Sequence, residues 1–165
     1  MPTLVQVAGM IGSASMLIYY WMRRRMWAVR KDEPHTTLAG VSAVYRQLSL
    51  SETEPAFAVF LVQDRRPNTI DGWNIQLSVE AGRIGFDWVL LAPPNIRDRK
   101  RFEQLAKDLG HTVRMVTAND VDYLRTEDGD LVELCSRVLS DLCRVGPDEE
   151  MPLIVEGFSW SPTVV

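Results

Sequence analysis

The stretch "PPNIRDRKRF", residues 93–102, sets Arg97, Arg99, Lys100 and Arg101 within five positions of one another. Guanidinium and ammonium groups hold phosphates and carboxylates through charge-assisted hydrogen bonds, so this spacing points to anion recognition. The surrounding pattern places the four cations in the first turn of a helix, where the macrodipole favours Asp and Glu. A phosphate or carboxylate bound there, against the free N–H groups of the helix start, would supply the missing charge. The competing expectation is a solvated face neutralised by Asp98, Glu103 and Asp87.

Other residue types offer less. Asp120 and Asp122 are two apart, as are Asp128 and Asp130, and on a strand either pair would share one side and present oxygens to a divalent cation. The glycine and glutamate of a calcium loop are misplaced, and "EDGD" reads better as a turn leading into an N-capping Asp130. The two histidines differ in setting: His35 falls in a linker and His111 follows a helix-ending glycine. No clustered Cys/His spacing and no nucleophile elbow occurs, so neither a metal ligand set nor a catalytic residue is assigned, and no cofactor is expected. Cys135 and Cys143, eight positions apart on one expected helix, would have Cα atoms about 12 Å apart, beyond disulfide reach. Both are expected as reduced, buried thiols, which suits a reducing compartment. Trp73 and Trp88 fall on adjacent expected strands, as a core pair or as pocket walls, with Asp87 turned to the opposite face and to solvent.

A second basic feature lies upstream. Residues 3–22 carry no charged side chain, and Tyr19, Tyr20 and Trp21 lead into Arg23, Arg24 and Arg25. Residues 1–35 carry a net +3 and the remainder −7, a basic collar on an acidic body. Twenty residues match the roughly 30 Å hydrocarbon core, with an aromatic belt and arginines placed for an N-out, C-in anchor. The apolar gain is only about 2 to 4 kcal/mol on the insertion scale, which makes spanning marginal. Leu4, Val7, Ile11, Ile18 and Met22 also follow helical spacing, with Gln6, Ser13 and Tyr20 on another face. That pattern suits a helix buried against a sheet or a partner. Two roles are therefore open: membrane anchor or packed apolar helix.

The elements that must position these residues are legible from periodicity. Residues 37–50 show helical spacing, "PAFAVFLVQ" a buried strand, and "WNIQLSVE" strict alternation followed by the tight turn "AGR" and a partner strand "IGFDWVLLAP". A helix with Asn95 as N-cap and Gly110 at its C′ position comes next, then "HTVRMVTA" and "VDYLRTEDGD" as strands. A helix capped by Asp130 runs towards Gly146 and Pro147, and "PLIVEGFSW" is the last strand. Tight turns imply a mainly antiparallel sheet of five or six strands, with two or three helices on one face: an α+β domain at 36–165 behind an N-terminal segment at 1–35. This element order is similar to that of small secretion-chaperone-like α+β domains, and the likeness implies binding of other proteins without catalysis.

A chain of 165 residues with 46% hydrophobic and 24% charged residues has the composition of one globular domain. Its net charge of −4 argues against a dedicated nucleic-acid binder. The expected function is a non-catalytic protein-interaction domain, chaperone-like, inhibitor-like or scaffolding, tethered to a membrane or oligomeric. The alternative is a small enzyme or ligand-binding protein that holds a phosphate-bearing molecule through Arg97–Arg101, with His111 or Asp120 as acid–base group. The expected compartment is the cytoplasm.

Overall fold

The computed structural model describes residues 34–67, 71–118 and 120–161. Seven antiparallel strands form one sheet: β1 (His35–Thr36), β2 (Ala56–Gln63), β3 (Gly72–Glu80), β4 (Arg83–Val89), β5 (Arg114–Ala118), β6 (Val121–Thr126) and β7 (Met151–Glu156). Their order across the sheet is β1-β7-β2-β3-β4-β6-β5. Three helices, α1 (Val41–Ser49), α2 (Pro93–Asp108) and α3 (Leu131–Arg137), share one core on one face of it. The fold is α+β, as the alternation and tight turns predict. The extra strand is β1: His35, placed by sequence in a linker, pairs with Pro152 at the sheet edge.

Alternation of side chains assigns the two faces. Ala58, Phe60, Ile75, Leu77, Phe86, Trp88 and Leu124 point to the helices and meet Val44, Leu48, Phe102, Ala106, Leu134 and Leu139. Trp88 stacks on Phe102 with ring centroids 4.8 Å apart, and its indole N–H donates to the Asn95 carbonyl at 2.8 Å. Trp73 makes different partners, described below. Phe57 and Val59, on the alternate positions of β2, form a separate apolar cluster with Leu61 and Ile154. Between β3 and β4, Ala81 and Gly82 both take positive φ, 51° and 73°, the geometry a two-residue hairpin turn requires.

Helix ends follow their chemistry. Asp130 caps α3, accepting from the N–H groups of Val132 and Glu133 at 3.0 and 2.9 Å. At the end of α2, Gly110 takes φ 82°, its N–H bonding to Lys107 O while that of His111 bonds to Ala106 O. These two bonds make a Schellman motif. α3 continues through a π-turn at Val138–Leu142 instead of one uninterrupted α-helix.

The start of α2 corrects the sequence. Ala92 occupies the N-cap position and the helix begins at Pro93, so Asn95 is inside it and caps nothing. Its buried carboxamide accepts from Asn74 N–H at 3.0 Å and donates to Asn74 C=O at 2.8 Å, pairing with β3 as a neighbouring strand would. Two prolines at the first helical positions need no partner there, which is why the helix starts early.

Among the described residues, no helix is long and apolar enough to cross a membrane. The expected N-terminal helix, with Tyr19, Tyr20, Trp21, Arg23, Arg24 and Arg25, lies outside the described residues.

Candidate anion-binding cleft

The early helix start changes what the cation cluster can do. Pro93 and Pro94 carry no N–H, and Arg97, Arg99, Lys100 and Arg101 fall beyond the first turn of α2. An anion held by the helix terminus is therefore poorly supported. What orients the arginines is a pair of carboxylates in the protein itself.

Asp64 follows the last residue of β2 and is buried, its N–H bonded to Asp71 O at 3.1 Å. Asp98 is buried on the inward side of α2, where Trp73 of β3 donates its indole N–H to Oδ2 at 3.1 Å. Three guanidinium groups converge on these two acids. Arg97 bridges them, 3.1 Å from Asp64 and 2.6 Å from Asp98, with its guanidinium carbon 5.8 Å from the centroid of the Trp73 ring. Arg66 bonds Asp64 at 3.2 Å and approaches Asp98 at 3.6 Å. Arg101, one turn along α2, reaches Asp98 at 3.4 Å. A buried charge is tolerated only when paired and hydrogen-bonded, and here each acid faces more than one cation.

Beside this network is a cleft of about 350 Å³ lined by Asp64, Arg65, Arg66, Trp73, Arg101, Leu142, Cys143 and Arg144. Arg65 is paired with Glu149 at its rim. Arg144 is exposed, holds φ at 60°, and makes no ion pair with any other described residue. Among the described residues, five arginines (Arg65, Arg66, Arg97, Arg101 and Arg144) thus share the site with Asp64, Asp98 and Glu149, an excess of two positive charges. The chemistry is that of a carboxylate or phosphate receptor: planar forks, oriented beforehand, on an aromatic and apolar floor.

The sequence cluster divides. Arg97 and Arg101 belong to this site, whereas Arg99 pairs with Glu103 at 3.1 Å along the helix surface and Lys100 is exposed. Asp64, Arg65 and Arg66 escape sequence reading because "DRRPNTIDG" reads only as a turn, and Arg144 because it is a lone cation at the end of an expected helix. A usable signal exists in the repetition: "DRR" and "RDRKR" each set one Asp among arginines. About 16 Å of helix separates Arg97 from Asp108, so His111, beyond that end, is not available to this site as an acid or base.

The remaining candidates have structural partners. His111 Nδ1 lies 2.7 Å from Asp128 O, and Asp128 accepts from Thr112 N–H and the Thr126 hydroxyl. Those hydrogen bonds hold the Asp128 carboxyl down at about 2. Asp120 occupies the β5–β6 turn at φ 62°, and the Thr117 hydroxyl bonds to Asp122 at 2.6 Å. Among the described residues no group of three or more His, Cys, Asp and Glu is placed to hold a metal ion. Cys135 and Cys143 are free and buried, and burial pushes both thiols up, away from the reactive thiolate.

Asp87 corrects the sequence outright. It does point away from Trp88, but it is buried, not solvated, because Arg125 lies against it at 2.7 Å. Arg125 also bonds Ser78 and Glu127, each at 2.7 Å, and lies 3.6 Å from Glu80. Burial pushes the Asp87 carboxyl up to about 6 against the opposing pull of Arg125. Comparison with known protein families, with curated proteins and with solved structures finds no match to this chain.

Proposed function

We propose that this chain is a non-catalytic interaction domain whose arginine cleft grips an acidic segment of a partner protein. The observation that supports this is the orientation of Arg66, Arg97 and Arg101 by Asp64 and Asp98, with a net excess of guanidinium beside an open cleft. Side chains held in place before binding lose less entropy when an anion arrives. Arg144 at the lip contributes a further fork. A chaperone-like, inhibitor-like or scaffolding role suits such a surface, in the cytoplasm where the two thiols stay reduced.

Titrating the full chain with an octaglutamate peptide tests it. The peptide should bind, with affinity falling steeply as salt rises, and Arg101→Glu with Arg144→Glu should weaken it at least tenfold. Binding that is unchanged in the double variant would refute the proposal.

The volume of the cleft favours a second reading. About 350 Å³ lies within the range of small-molecule sites, so a phosphate-bearing metabolite would also be accommodated. Thermal stabilisation by sugar phosphates or nucleotides, without octaglutamate binding, would select this alternative.

A further inference from the structure

We propose that β5 is the edge by which two copies of this chain join, their sheets continuing into one another through antiparallel β5–β5 pairing. Sheet order leaves β5 at one end, bonded among the described residues to β6 alone. The strand at the opposite end, β1, is two residues long and too short to template another. β5 runs for five residues without a proline, and its one charge, Arg114, is already paired with Glu127 at 2.9 Å. It therefore lacks the usual guards of an exposed edge. Its side chains stand open: Arg114, Met115 and Thr117 are exposed, Met115 at 45%.

The phase of the ladder decides which backbone groups face outward. Leu90 N–H donates to Asp122 O at 2.9 Å, so Asp122 turns its backbone to the β4 side of β6. The alternate residues Val121, Tyr123 and Arg125 then face β5 and bond to their register partners Ala118, Val116 and Arg114. Met115 and Thr117 are left with N–H and C=O directed away from the sheet, and neither makes a backbone hydrogen bond to another described residue.

This pattern is complementary to itself, which is why the occupant assigned is a second copy. A two-fold axis at Val116 brings Met115 of each copy opposite Thr117 of the other, and every outward N–H then meets an outward C=O. The two Val116 side chains face each other on the axis as a β-branched pair, and each exposed Met115 is covered by the second copy's Thr117. Charge agrees as well. Arg114 lies opposite Ala118 of the second copy and two positions from its Asp120. The two Arg114 groups stand four residues apart along the paired strands, about 13 Å. That exceeds the screening length of about 8 Å at physiological salt, so like charges do not oppose the pairing.

Disulfide trapping and sedimentation of the full chain test partner and register together. Val116→Cys should oxidise to a covalent dimer at least tenfold faster than Met115→Cys, because only position 116 meets itself across the axis. The two Cα atoms at position 115 would be about 8 Å apart, beyond disulfide reach. The unaltered chain should sediment as a monomer–dimer equilibrium. Thr117→Pro removes an outward N–H that β6 does not use, so it should raise the dissociation constant at least tenfold while far-UV circular dichroism shows the fold kept. Should that variant fail to fold, Val116→Lys, which sets like charges against each other on the axis, takes its place with the same expected loss. A chain that stays monomeric at every concentration, a dimer indifferent to the substitution, or trapping as fast at position 115 as at 116 would overturn the proposal.

Discussion

At the scale of single residues, the site depends on two acids more than on its many arginines. Asp98 receives Trp73, Arg97, Arg66 and Arg101 at once, so removing its charge leaves three guanidinium groups close together with one carboxylate fewer. Asp98→Asn is expected to cost about 3 kcal/mol in chemical denaturation, the scale of breaking a buried ion pair. Acidic-peptide affinity should fall as well, because the forks lose their common support. An unchanged denaturation midpoint would mean that the arginines orient themselves. Some residue roles were legible: Asp130 before an apolar run and Gly110 after one are local capping chemistry, and both hold. Asn95 was not, because its partner Asn74 is 21 positions away. A side-chain amide that completes a sheet edge leaves no local pattern.

Between elements, β4 and β6 are joined by a packed ion network that constrains backbone as well as charge. The Arg125 guanidinium lies across Gly85, and a Cβ built on that glycine would come within 2.4 Å of Arg125 Cζ. Gly85→Ala should therefore displace Arg125 from Asp87 and Ser78, at a cost of about 2 to 3 kcal/mol. Urea denaturation of this variant checks it, and a change below half a kilocalorie would show that Arg125 moves aside freely. Strand alternation predicted that Asp87 leaves the Trp88 face, and it does. What alternation lacked was the other side of the sheet. Burial there depends on strand neighbours such as β6, and pairing between β4 and β6 crosses an intervening helix and strand.

For the molecule as a whole, fold class followed from periodicity, whereas the cleft is assembled from the segment after β2, the start of β3, α2 and the end of the π-turn and could not be read from any one segment. The Asp87 network also shapes global stability. A carboxyl of ordinary value 3.8 raised to about 6 keeps its proton longer folded than unfolded. Its contribution is thus complete below about pH 3.8 and is lost as pH rises through about 6, at no more than about 1.4 kcal/mol per pH unit. Comparing denaturation of the unaltered chain with Asp87→Asn between pH 4 and 6 should show the variant missing this decline; parallel curves would mean that Asp87 is already ionised at the lower end. The central claim concerns the arginine cleft, and the most direct measurement is arginine-selective NMR of the Nε–H groups during titration of the full chain with octaglutamate. The resonances of Arg66, Arg97, Arg101 and Arg144 should shift together and saturably while that of Arg99, tied to Glu103, stays in place. Shifts confined to Arg99, or none at the four cleft arginines, would contradict it.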